Sequence, residues 1–126
     1  MSEIRRELMA RFQLGRTQTL LPCEFLYTTL DPFAITLAFR NSETWQFSRD
    51  LLALGMHEGA GEGDVLIHPV WDDVEFLFRS PTGRAVLLFD RHDIYECLDA
   101  TEQLVKPGTE YIDIDYELNQ ILEGQS

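Results

Sequence analysis

The segment "GMHEGAGEGDV", Gly55 to Val65, places four glycines within nine positions. Such a density is found where backbone N–H groups cradle a phosphate. A nucleotide loop needs a strand before its glycines and, after them, a helix whose free N–H groups and dipole face the anion. Here the order is reversed. "SRDLLAL" before the glycines reads as a short helix with Ser48 as N-cap and Gly55 just past its end, and "DVLIHPV" after them reads as a strand. Glu58, Glu62 and Asp64 would repel a phosphate, and no lysine follows the glycines. The segment is therefore assigned to a helix-to-strand turn in which glycine supplies positive φ.

The other residues with chemical reach are no better placed. His57, His68 and His92 stand outside any H-x-x-H or H-E-x-x-H arrangement, so no metal site is expected. Asp72-Asp73 is read as a pair of solvated turn residues rather than carboxylates set for acid–base work. Asp113, Asp115 and Glu117 alternate like the start of an EF-hand loop, but the central glycine and terminal glutamate are missing. Their position suits a helix N-terminus, where carboxylates favour the dipole. No nucleophile elbow, Cys–His signature or Walker motif is present. The sequence predicts no catalytic residue, no metal and no cofactor, hence no enzyme. Arg49 and Asp50, between two apolar blocks in the first turn of the short helix, are the candidate oligomer contact. The competing reading is a cap plus a salt bridge to the sheet.

The elements that position these residues follow from hydrophobic period. "ELMARFQL", "CEFLYTTL", "FAITLAFR" and "TWQFS" alternate like half-buried strands, with Phe33, Ile35, Leu37 and Phe39 on one face of the third. After the short helix and the glycines come "DVLIHPV", "DVEFLFR" and "RAVLLFD", the last two joined by Ser80-Pro81-Thr82-Gly83, a type I turn signature. Pro69 points to a sheet edge or a bulge. The period then changes. From Asp90 as N-cap, "RHDIYECLDATEQLV" sets Ile94, Leu98, Thr101 and Val105 on a helical stripe. "KPGTEY" breaks that helix, and "DIDYELNQILEG" starts a second with Ile114, Leu118, Ile121 and Leu122 at helical spacing. The class is α+β: about seven antiparallel strands followed by two C-terminal helices, in a single domain over residues 1–126.

Charge narrows the partners. The 126 residues carry a formal net charge of −12, which disfavours nucleic-acid phosphates and anionic lipid. The imbalance is concentrated late: residues 90–126 hold ten acids against Arg91 and Lys106. Glu110, Asp113, Asp115 and Glu117 form the candidate partner-binding ridge, with a merely solvated helix start as the alternative. Glu110 is expected to project into solvent from the Pro107-Gly108 turn, so that Glu110→Lys would leave folding nearly untouched. No apolar run approaches the ~20 residues of a membrane span, and the N-terminal residues lack a signal-peptide core, so a cytoplasmic location is expected. Cys23 and Cys97 lack metal-ligand spacing, and Cys97 reads as a core thiol.

The blocks "DPFAITLAF", "WQFSRDLLALG", "GEGDVLIHP", "SPTGRAVL" and "VKPGTEY…DIDYELNQIL" resemble, in order and spacing, the SsgA-like proteins, sporulation and cell-division regulators of filamentous actinobacteria. The resemblance runs from about Phe25 to Glu123 and is most specific in the W-x-F-x-R-D-L-L-x-x-G block followed by G-x-G-D-V-x-I-x-P. It implies an antiparallel sheet with C-terminal helices, similar to the whirly single-strand-binding proteins, assembled as a homotrimer. It also implies a role without catalysis: an adaptor at the division septum that binds the tubulin-like protein FtsZ or another SsgA-like protein, or bears on septal wall remodelling. The whirly likeness makes single-stranded nucleic-acid binding the rival function. That rival needs Trp45, Phe76 and Phe78 exposed as a stacking platform beside a basic groove, whereas their alternation is that of core residues.

Overall fold

The computed structural model describes residues 2–40 and 43–111. Its first half is a four-strand meander: β1 (Glu3–Leu14), β2 (Thr17–Thr28), β3 (Asp31–Phe39) and β4 (Thr44–Ser48), leading directly into α1 (Arg49–Glu58). The second half repeats the plan with β5 (Ala60–Glu62), β6 (Val65–Val70), β7 (Asp73–Ser80), β8 (Gly83–Asp90) and α2 (Arg91–Leu104). All eight strands form one antiparallel sheet in the order β4-β3-β2-β1-β8-β7-β6-β5. The two meanders meet at β1 and β8, where Arg11 pairs with Leu88 and Phe12 with Leu87.

The sheet curls on itself until the inner faces of the meanders touch. Trp45 of β4 stacks on Phe78 of β7 with ring centroids 4.6 Å apart, and Phe47 meets Phe76 edge-on at 5.7 Å. Alternation along each strand sends Phe25, Ile35, Leu37, Ile67, Phe76, Phe78 and Phe89 into this interior. α1 packs against β6, β5, β3 and β4, and α2 packs against α1, β1, β7 and β8. Of the expected α2 stripe Ile94, Leu98 and Thr101 are buried, with Cys97 beside them, while Val105 is the half-buried C-cap. Both helix starts carry the expected caps. Ser48 Oγ accepts from Leu51 N at 3.0 Å, and Asp90 accepts from His92 N at 2.9 Å.

Several expectations need correction. The described residues form eight strands rather than about seven: β5 spans only Ala60–Glu62, too short and glycine-rich to show a period. β1 and β2 extend well beyond the apolar runs that announce them, because they pair from Glu3↔Thr28 to Leu14↔Thr17. Phe33 is exposed rather than on the buried face of β3, and the register with β2 shifts between Leu26 and Thr28 near that end of β3. Gly55 does not end α1. The helix runs on to a cap at Gly59, whose φ is +86°, and Gly63 at +59° supplies the second left-handed position of the turn. A Cβ on Gly55 would lie 2.6 Å from Cβ of Ile67, so its glycine lets α1 sit directly on β6. Pro69 lies past Ile67, the last residue of β6 that β5 reaches, and so faces an open edge. Asp73 is not a solvated turn residue: it is the first residue of β7 and pairs with Arg11. The expected helix in residues 113–124 lies outside the described residues.

Candidate functional site

The most densely bonded polar group among the described residues is Arg49. As the first residue of α1 it follows the Ser48 cap, and its side chain turns inward rather than to the surface, with only 2% of it accessible. One guanidinium nitrogen donates to the carbonyls of Thr101 and Val105 at 3.0 and 2.7 Å. These belong to the last turn of α2 and its C-cap, which carry the negative end of the helix dipole; Thr101 O also accepts from Val105 N at 2.8 Å. The other nitrogen donates to Glu110 Oε2 at 2.9 Å. The guanidinium carbon lies 5.3 Å from the ring centre of Tyr27, whose hydroxyl donates to the Pro32 carbonyl at 2.9 Å. Arg49 thereby ties α1, the end of α2, β2 and the segment after α2 into one node.

Glu110 is the other half of that node. Its side chain is 6% accessible, and its second oxygen accepts from Gly108 N at 2.6 Å. The hydrogen bond from Arg49, reinforced by backbone N–H donors, holds its carboxyl below the usual value of 4.5. The exposed, projecting Glu110 expected from the sequence is thus corrected: the Pro107-Gly108 turn folds it back onto the body. Asp113, Asp115 and Glu117 lie outside the described residues. Of the candidate oligomer pair, Asp50 is exposed, whereas the Arg49 side chain is engaged within the chain. The cap is as expected, but the ion pair goes to Glu110, 61 positions away, rather than to the sheet. Tyr27 and Pro32 had no signal in the sequence.

The aromatic candidates are accounted for by packing. Phe76 and Phe78 are 1% accessible and Trp45 is stacked on Phe78, so these three rings form no stacking platform. His68 lies 3.7 Å from Glu75, and His92 pairs with Glu96 one helical turn on at 2.9 Å. No cluster of three metal-ligating side chains occurs among the described residues. Cys23 and Cys97 are free and buried, and burial pushes their thiols up to about 12 and about 11. No helix of the described residues is long and apolar enough to cross a membrane.

Residues 21–110 match the family model described as the Streptomyces sporulation and cell division protein SsgA. The chain belongs to the SsgA family. That match contains both ends of the Arg49–Glu110 pair. Sporulation-specific cell division protein SsgB of Saccharopolyspora erythraea is 39% identical over 108 residues, covering 79% of this chain and 77% of the relative. SsgB of Streptomyces coelicolor is 36% identical over 127 residues, covering 92% and 93%. Among solved structures, the SsgA-like sporulation-specific cell division protein of Thermobifida fusca superimposes with a TM-score of 0.81 at 32% identity, over 94% of this chain and 95% of that one. The curled antiparallel sheet with two helices is therefore an SsgA-family fold, and the relatives' shared role is sporulation-specific cell division.

Proposed function

We propose that this SsgA-family chain is a non-enzymatic adaptor of the division septum. It binds the tubulin-like protein FtsZ or another SsgA-like protein, acts as a homotrimer, and helps place or assemble the septum during sporulation. The observation that supports this most is the match, over nearly the whole fold, to proteins named for sporulation-specific cell division. The geometry is in keeping with it. The polar groups with most chemical reach, Arg49 and Glu110, are committed to holding the fold together. Against the single-strand-binding alternative, Phe76 and Phe78 are buried and Trp45 is packed on Phe78.

A fluorescent fusion in sporulating hyphae tests the reading. The protein is expected in regular ladders that coincide with septum sites before constriction. A signal spread evenly through the hyphae at that stage would contradict it. A titration with labelled single-stranded DNA at low salt provides the second check, since tight, salt-sensitive binding would favour the rival.

A further inference from the structure

The tip of the β6–β7 hairpin keeps a bulky side chain in a backbone conformation suited to glycine. Val70 pairs with Asp73, so Trp71 and Asp72 are the two central residues of the turn. Trp71 has a φ of +55°, and among the described residues it is the one with positive φ that is not a glycine. Left-handed backbone crowds the Cβ of an L residue, and a two-residue hairpin with positive φ at its first central position normally has glycine there. Nothing within the chain offsets that strain, because Trp71 is 90% exposed. The tip is also held in place: the Arg91 N–H donates to the Asp72 carbonyl at 2.9 Å, and Asp73 pairs with Asp90. Tryptophan is enriched among the residues that carry most of a protein contact's energy, and a tip already fixed loses little freedom on binding.

A matching hole lies at the other end of α2. The hairpin tip is bonded to the first residue of that helix, whereas the last residue of the helix borders a groove of about 550 Å³. Leu30 and Pro32 line the groove from the β2–β3 side, and Leu104, Val105 and Tyr111 line it from the end of α2 and beyond. Lys106 is the one charged residue of its lining. Neither Lys106 nor Asp72 has an ion-pair partner among the described residues. Apolar walls beside a free ammonium suit an indole followed by a carboxylate. Knob and hole stand ~20 Å apart along the 14 residues of α2, so one chain cannot fill its own groove with its own tip.

We propose that Trp71 of one copy of this chain seats in the groove beside Lys106 of the next copy, in a head-to-tail contact. The occupant is a second copy because the chain itself carries both halves of the fit: an exposed indole next to Asp72, and an apolar groove whose charge is opposite. A head-to-tail contact repeats from copy to copy until the rotation closes it into a ring. Three copies make the ring that the homotrimer reading requires. The inference rests on that part of the reading and adds to it the residues that meet.

Sedimentation velocity of the full-length protein over a wide concentration range reads the contact. In a Trp45→Phe background, which leaves Trp71 as the one tryptophan of the chain's two, emission should shift to the blue as copies associate. Trp71→Gly should sediment as a monomer, and so should Leu104→Asp/Lys106→Glu, each with the far-UV circular dichroism of the parent. Mixed in equal amounts, the two variants should form a one-to-one dimer and nothing larger, since the mixture joins one intact knob to one intact hole. That dimer also shows that both variants are folded. Trp71→Gly associating like the parent would overturn the proposal, as would a mixture that stays monomeric. A parent that is monomeric at every concentration would overturn it too, leaving residues 112–126 or another protein as the occupant of the groove. A pull-down with purified FtsZ judges the adaptor reading separately. Capture of FtsZ by the parent, with Trp71→Gly still trimeric, keeps the adaptor and removes this contact; association that needs Trp71, without any capture of FtsZ, does the reverse.

Discussion

Replacing Arg49 with methionine keeps the length and apolar stem of the side chain and removes the guanidinium. Three hydrogen bonds disappear, to Thr101 O, Val105 O and Glu110 Oε2. What remains is a Val105 carbonyl without its donor, a Thr101 carbonyl left with Val105 N alone, and a carboxylate facing an apolar group in a site 2% accessible at Arg49. Removing one partner of a buried ion pair costs about 3–5 kcal/mol, a large share of the ~5–15 kcal/mol that holds a domain of this size. At roughly 3–5 °C per kcal/mol for a chain of this length, the melting temperature should fall by ~10–20 °C. Thermal unfolding followed by far-UV circular dichroism reads this directly. Arg49→Lys should fall between the two, since one ammonium cannot reach both carbonyls and the carboxylate with the planar fork of Arg49. A methionine variant melting within ~2 °C of the parent would refute the assignment of Arg49 as the tie between the helices and the segment after α2.

Glu110→Lys should also destabilise, because it sets an ammonium against the buried Arg49 guanidinium; a melt unchanged from the parent would restore the surface reading. Glu110→Gln should lose less than Glu110→Lys. Because the folded carboxyl titrates below its ordinary 4.5, its contribution is present above that pH and is lost as pH falls through the folded value. The parent should therefore lose more stability than Glu110→Gln on acidification below about pH 4.5 in pH-dependent urea titrations. Gly55→Ala gains about 1 kcal/mol of helix propensity but drives a Cβ to 2.6 Å from the buried Ile67. Overpacking costs about 1–3 kcal/mol, so the net effect should be a lower midpoint in urea; a raised midpoint would show that α1 does not sit on β6 as described. Cys23 and Cys97, with thiols pushed up to about 12 and about 11, should resist an aromatic disulfide reagent at pH 8 until the protein unfolds; prompt labelling of the native state would contradict their burial.

Local pattern carried most of the fold. Alternation in "FAITLAFR" from Ile35 onward and in "DVEFLFR", the Ser48 and Asp90 caps and the α2 stripe from Ile94 to Thr101 stand where residue type and spacing put them. β5 was not legible, since Ala60–Glu62 has no apolar period and exists because β6 offers it an edge. The doubling of the four-strand-plus-helix plan was equally hidden, as it repeats architecture and not sequence. Gly55 resembled a helix end because glycine is common there, and only the approach of Ile67 shows its other use. The error at Glu110 has the same origin: an acid after Pro-Gly looks solvated until a partner from the other half of the chain is known. The family resemblance, carried by short blocks, survives comparison with whole structures, while the blocks do not say which surface meets a partner.

The central claim is that this chain works by binding a protein of the division machinery. Light scattering of purified FtsZ with GTP, with and without the full chain, tests it most directly. The account predicts that the protein sediments with the polymers and raises their scattering or lifetime in proportion to its concentration. Unchanged polymerisation, with all of the protein left in the supernatant at low ionic strength, would contradict it.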